Sequence, residues 1–154
     1  MPNARRLIGG SVLVIALALV QPAGAQLDVG NWVRQPMPSM PSMTLTIEAC
    51  CGGGRRLIYH IITDTLQMEL TVESKLDGTD APVTIAGKPS GETMAIKRID
   101  DHHATAILKS NGTLFGTAQS TLSPDGKTLT IVNNYSSSVG GASVGSFTEV
   151  WVKK

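Results

Sequence analysis

Polar and apolar residues alternate through most of the chain. Thr44-Leu45-Thr46-Ile47-Glu48-Ala49 switches at almost every step, and Met68, Leu70 and Val72 alternate with Glu69, Thr71 and Glu73. A period of two sends one set of side chains to one face of a strand and the other set to the opposite face. Thr, Val and Ile are frequent in these runs and suit a pleated, half-buried surface. No apolar run at helical spacing follows residue 25, so the pattern predicts strands. Turn dipeptides punctuate them. Asn111-Gly112 separates TAILKS from TLFGTAQS, and Asp125-Gly126 separates AQSTLS from KTLTIV. Both dipeptides tolerate the positive φ that tight hairpins need. Asp77-Gly78 is expected to end the strand MELTVESKL, and Cys51-Gly52-Gly53-Gly54 to join TLTIEAC to RRLIYHII. Short strands joined in sequence by tight turns predict an antiparallel meander. Closing that sheet removes its edges, so the expected fold is all-β, an up-and-down antiparallel β-barrel of about eight to ten strands. Two segments fall outside the strand pattern. RQPMPSMPSM (34–43) carries three prolines and reads as an extended strap, and SSSVGGASVG (136–145) reads as a loop before the last strand, SFTEVWVKK.

The first residues break the alternation. Arg5 and Arg6 precede an uncharged apolar run from Leu7 to Val20, followed by Ala23-Gly24-Ala25. A basic start, a short apolar stretch and small residues before a cut site make a secretory signal peptide over 1–25. The apolar run is shorter than the roughly 20 residues a membrane-spanning helix needs, so no stable span is expected after cleavage. Residues 26–154 then form one domain of an exported protein, periplasmic or extracellular. Without Arg5 and Arg6 the domain holds 11 basic residues against 12 acidic ones. It has no basic patch for nucleic acid. Aromatic residues make up only 4% of the chain, which argues against a stacking platform for bases or sugars.

Three stretches in order carry a resemblance. Gly30-Asn31-Trp32 opens the domain as G-x-W. The centre, ESKLDGTDAPVTIAGKPSGETMAIKRID (73–100), reads as strand, D-G turn, Pro-Val link and strand. LSPDGKTLTIVNN and SFTEVWVKK close the chain. Together these resemble the small exported lipocalin-like proteins of bacteria, over nearly all of residues 27–154. The resemblance implies a barrel of the lipocalin and fatty-acid-binding-protein type that binds small hydrophobic molecules inside, with Trp32 packed across its floor. The chain departs from that pattern at Val33-Arg34, where Lys-Leu is usual, at Ala81, where an aromatic is common, and at the Cys50-Cys51 pair.

Several side chains are candidates for chemistry. Asp100-Asp101-His102-His103 gathers metal-ligand types, but neighbours on a strand point to opposite faces and no H-x-H spacing occurs. The segment lies where the meander reverses, so it reads as a polar turn. Cys50 and Cys51 leave three readings open. They bond to each other, although adjacent Cα atoms lie about 3.8 Å apart against the usual 4.4–6.8 Å of a disulfide. Alternatively, one of them links two chains in a disulfide-bonded dimer, or both remain thiols. A redox C-x-x-C is absent. His60 is expected as a hydrogen-bonded core or rim residue, and an inward orientation would be the clue to an isomerase- or cyclase-type enzyme. Met37, Met40 and Met43 read as an adaptable apolar strap over a barrel mouth rather than soft-metal ligands. Arg55-Arg56 reads as a solvated hairpin entry.

No catalytic residue, metal site or cofactor motif emerges. The function expected is non-catalytic binding of a small apolar or amphipathic ligand inside the barrel, lined by Trp32, Tyr59, Ile61, Met68, Leu70 and Val72. The alternative is a structural or interaction protein of the cell envelope with a filled barrel.

Overall fold

The computed structural model describes residues 27–137 and 144–154; the expected signal peptide and most of the 136–145 loop lie outside them. Ten strands follow in chain order: β1 (Gly30–Arg34), β2 (Ser42–Cys50), β3 (Gly54–Ile62), β4 (Gln67–Ser74), β5 (Asp77–Ile85), β6 (Lys88–Arg98), β7 (His103–Ser110), β8 (Thr113–Leu122), β9 (Thr128–Tyr135) and β10 (Gly145–Lys153). Each pairs antiparallel with the next, and β1 pairs with β10 through Trp32–Lys153, Val33–Val152 and Arg34–Trp151, closing the barrel. The fold is therefore the up-and-down all-β barrel that the alternation predicts. No helix lies among the described residues, and so none is long and apolar enough to cross a membrane.

The buried apolar residues of the strands form two clusters. At one end Trp32, Leu45, Ile47, Leu57, Ile96, Leu122, Leu129 and Trp151 pack into the main core. Trp32 and Trp151 are wholly buried. Trp32 Nε1 donates to the Asp28 carbonyl at 2.9 Å, and Lys153 Nζ lies 5.2 Å above the Trp32 ring. Trp32 thus seals the end of the barrel where β1 starts and β10 finishes. Beneath it Asp28 binds the buried Arg55 twice, at 2.7 and 2.9 Å, and Arg98 at 3.3 Å. Arg55 is thus a buried floor residue and not a solvated hairpin entry, whereas Arg56 stays at the surface with Glu73. A smaller cluster of Val72, Ala81 and Val83 packs against Leu70 and Met94.

Turn chemistry explains most connections. Asn111 and Gly112 both take positive φ, 47° and 80°, as a two-residue hairpin requires. Two expectations in the centre of the chain are corrected. Asp77-Gly78 does not turn the chain; Lys75 and Leu76 do, with Leu76 at φ 62°, and Asp77 opens β5. Leu76 packs against the main core, and this burial fixes the turn two residues early. Pro82-Val83 is not a link but lies inside β5, whose hairpin to β6 is Ala86-Gly87, again at positive φ. Cys50 and Cys51 are bonded to each other at the β2–β3 turn, where Cys51 takes φ 57°. Adjacency therefore does not prevent the bond. Neither sulfur is free, so a dimer through Cys50 or Cys51 has no thiol to use.

Candidate functional site

Above the tryptophan floor the barrel is hollow. A cavity of about 620 Å³ runs between the strands, within the roughly 300–1,000 Å³ typical of small-molecule sites. Its wall is largely apolar: Met43 and Leu45 from β2, Tyr59 and Ile61 from β3, Met68 and Leu70 from β4, Ile85 from β5, Met94 from β6 and Leu108 from β7. Alternation aims these side chains inward. Ser39, Met40 and Pro41 of the proline-rich connection also line the cavity, so this strap lies at the end opposite the floor.

A polar cluster sits on the same inner face. Arg34, two residues after Trp32, points into the barrel and is buried. Its Nη1 donates to Glu149 Oε1 at 2.6 Å, and its Nη2 donates to the Pro41 carbonyl. Asn133 Nδ2 donates to the other Glu149 oxygen at 3.4 Å. Tyr135 stacks edge-to-face on Phe115 and on Phe147, with ring centroids 5.8 and 5.2 Å away. Burial, then Glu149 and then Glu92 push the Tyr135 phenol up to about 12. Burial likewise raises Tyr59, which faces Trp151 at 6.1 Å, and raises the carboxyl of Glu92. Both phenols stay protonated at neutral pH, and both residues line the cavity.

Two β-bulges aim members of this cluster. Leu108 pairs with Gly116 and Lys109 with Leu114, leaving Phe115 as an extra residue that turns inward. In β6 the pairing skips from Pro89 to Thr93. Ser90 Oγ donates to the Val83 carbonyl at 2.8 Å and accepts the Glu92 amide at 3.1 Å, which places Glu92 on the cavity wall. An extra residue in one strand commonly re-aims a side chain in this way.

Compared with known proteins, the chain matches no family model, no curated relative and no solved structure.

Of the residues expected to line a binding site, Tyr59, Ile61, Met68 and Leu70 reach the cavity. Trp32 and Val72 do not: Trp32 belongs to the floor, and Val72 is wholly buried in the smaller cluster. His60 points outward, exposed beside Glu69, so it is not a convergent group inside the barrel. The Asp100–His103 segment is a reversal between β6 and β7. Asp100 Oδ1 accepts the amides of His102 and His103, each at 2.8 Å, and the His103 ring lies against the same carboxylate. These hydrogen bonds hold the Asp100 carboxyl below the usual range. Among the described residues no three His, Cys, Asp or Glu side chains gather as a metal site. In the upper cavity Arg34, Glu92, Asn133 and Glu149 are polar residues not foreseen, as are Asp28, Arg55 and Arg98 at the floor, and Phe115, Tyr135 and Phe147 are the unforeseen aromatic ones.

Proposed function

We propose that this protein is an exported, non-catalytic binding protein that holds a small apolar or amphipathic ligand inside its barrel. The cavity of about 620 Å³ carries this reading. Apolar surface buried in such a space contributes about 25 cal/mol per Å², and a few polar groups at one level fix orientation. The apolar part of the ligand lies against Leu45, Ile61, Met68 and Leu70, and its polar end meets the level of Arg34, Glu149 and Tyr135. Export to the periplasm or beyond is supported by the signal-peptide pattern of residues 1–25 and by the Cys50–Cys51 bond, since disulfides persist in oxidising compartments. Kinship with lipocalin-like proteins is supported by the closed barrel and by the G-x-W tryptophan at its floor.

Native mass spectrometry of protein purified gently from the exported fraction tests the reading. The wild type is expected to carry an adduct of a few hundred daltons that leaves on denaturation. Leu70→Trp, which fills the cavity from its wall, is expected to lose the adduct while keeping a β-rich circular dichroism spectrum. A wild type that carries no adduct and binds no apolar fluorescent probe saturably would overturn the proposal.

A further inference from the structure

The charges inside the barrel narrow the ligand class, an inference that rests on the ligand-binding reading above. Among the described residues three side chains with formal charge line the upper cavity: Arg34, Glu92 and Glu149. Arg34 is spent within the protein. It bonds Glu149 and the Pro41 carbonyl, its Nη1 also lies 3.9 Å from Met40 Sδ, and its side chain is 4% exposed. A guanidinium so held has no free fork for an incoming carboxylate or phosphate. Glu92 is different. Among the described residues its carboxylate has no ion-pair partner and no side-chain hydrogen bond, although it stands on the cavity wall. Among the described residues the upper cavity therefore holds one negative charge in excess.

At the other end Arg55 and Arg98 are both paired with Asp28, and Asp100 and Asp101 also line the cavity, so neither guanidinium there stands without a carboxylate. The aromatic rings point the same way. All six aromatic residues of the chain lie in the barrel interior, and three of them, Phe115, Tyr135 and Phe147, form one edge-to-face array at the level of Glu149. Ring faces attract ammonium groups, most strongly where water is excluded.

We propose that the cavity takes a protonated amine, an amphipath whose single ammonium head seats among Glu92, Glu149 and the Phe115–Tyr135–Phe147 rings. Its alkyl or aryl body runs from there toward Leu45 and Leu70. The negative potential that opposes loss of the Tyr135 proton also favours a bound cation. A fatty carboxylate of the same length would instead bring a second negative charge against Glu92 while Arg34 stays occupied.

Isothermal titration of delipidated protein with dodecylamine, dodecanol and dodecanoate at pH 7, each below its micelle concentration, tests this. The three probes share a chain and differ in the head group; an alkylamine is protonated at this pH, as lysine is. The wild type is expected to bind dodecylamine at least tenfold tighter than dodecanol and to bind dodecanoate weakest. Glu92→Gln is expected to reduce the preference for amine over alcohol to less than threefold. Equal binding of amine and alcohol overturns the head-group proposal and leaves the binding function standing. Tightest binding of dodecanoate overturns it as well, and so does an amine preference that Glu92→Gln leaves intact. Failure of all three probes to bind removes the binding function and this inference together.

Discussion

Gly116 of β8 makes room for the aromatic array. A methyl group added there would stand 2.6 Å from the Tyr135 ring and 3.3 Å from a Leu108 methyl, closer than packed atoms allow. Gly116 pairs with Tyr135 in register, so the ring lies back over its own strand neighbour. Gly116→Ala is expected to cost about 1–3 kcal/mol in urea unfolding, the usual penalty of overfilling a packed site. It should also weaken ligand binding in calorimetry, because the displaced ring leaves its place between Phe115 and Phe147. Most of this site was within reach of the alternation rule, residue by residue. In SFTEVWVKK the step of two puts Glu149 on the same face as Phe147 and Trp151, and in TIVNNY it puts Asn133 with Ile131 and Tyr135. Arg34 follows Trp32 by two, and Glu92 precedes Met94 by two. An ionisable residue on an otherwise apolar face was the signal. Phe115 was out of reach, because only the bulge opposite Lys109 turns it inward. The low aromatic content hid the array too, since composition counts rings without placing them.

Among the elements, the seam between β4 and β5 is one of the two shortest, with three paired positions like the closure of β1 on β10. The two strands pair only at Leu70–Ile85, Thr71–Thr84 and Val72–Val83, whereas β3 and β4 pair along their full lengths. Pro82 follows at the point where the ladder stops; it has no amide hydrogen to donate. Beyond it the turn at Lys75-Leu76 and the irregular start of β5 hold the chain through Arg98, whose amide donates to the Leu76 carbonyl at 3.0 Å. In hydrogen exchange read by mass spectrometry, peptides covering Lys75–Ala81 are expected to exchange faster than peptides covering β8 and β9, which pair without interruption from Gly116 to Leu122. Equal protection of the two regions would show that the seam is held by something other than its ladder. The sequence was legible where alternation and turn residues agreed, as at Asn111-Gly112. It misled at Asp77-Gly78 and Pro82-Val83, where a half-buried Leu76 packed on the core and a strand proline settled matters that dipeptides do not encode.

At the scale of the molecule, one carboxylate ties the floor together. Asp28 joins the segment before β1 to Arg55 of β3 and Arg98 of β6. Burial alone would raise its pKa, but the hydrogen bonds and charge of Arg55, with the charge of Arg98, more than offset this and hold it below the usual carboxylate value. A carboxyl with a lowered folded pKa stabilises the protein above its unfolded value of about 3.9, and this stabilisation disappears as the pH falls through the folded value. Asp28→Asn leaves the buried Arg55 without its counter-charge and is expected to cost about 3 kcal/mol at pH 7. Its unfolding free energy should then fall less steeply with acid than that of the wild type in denaturant titrations from pH 7 to pH 3. The closure of β1 on β10 has a further consequence, for the order of events in folding. Trp32 finds its partner Lys153 at the far end of the described chain, so the contact that completes the barrel is also among the most distant in sequence. Contacts of such separation form slowly, after the local hairpins. A chain delivered from its N-terminus would hold β1 as an open edge until β10 arrived, exposed to pairing with other chains for as long as delivery lasted.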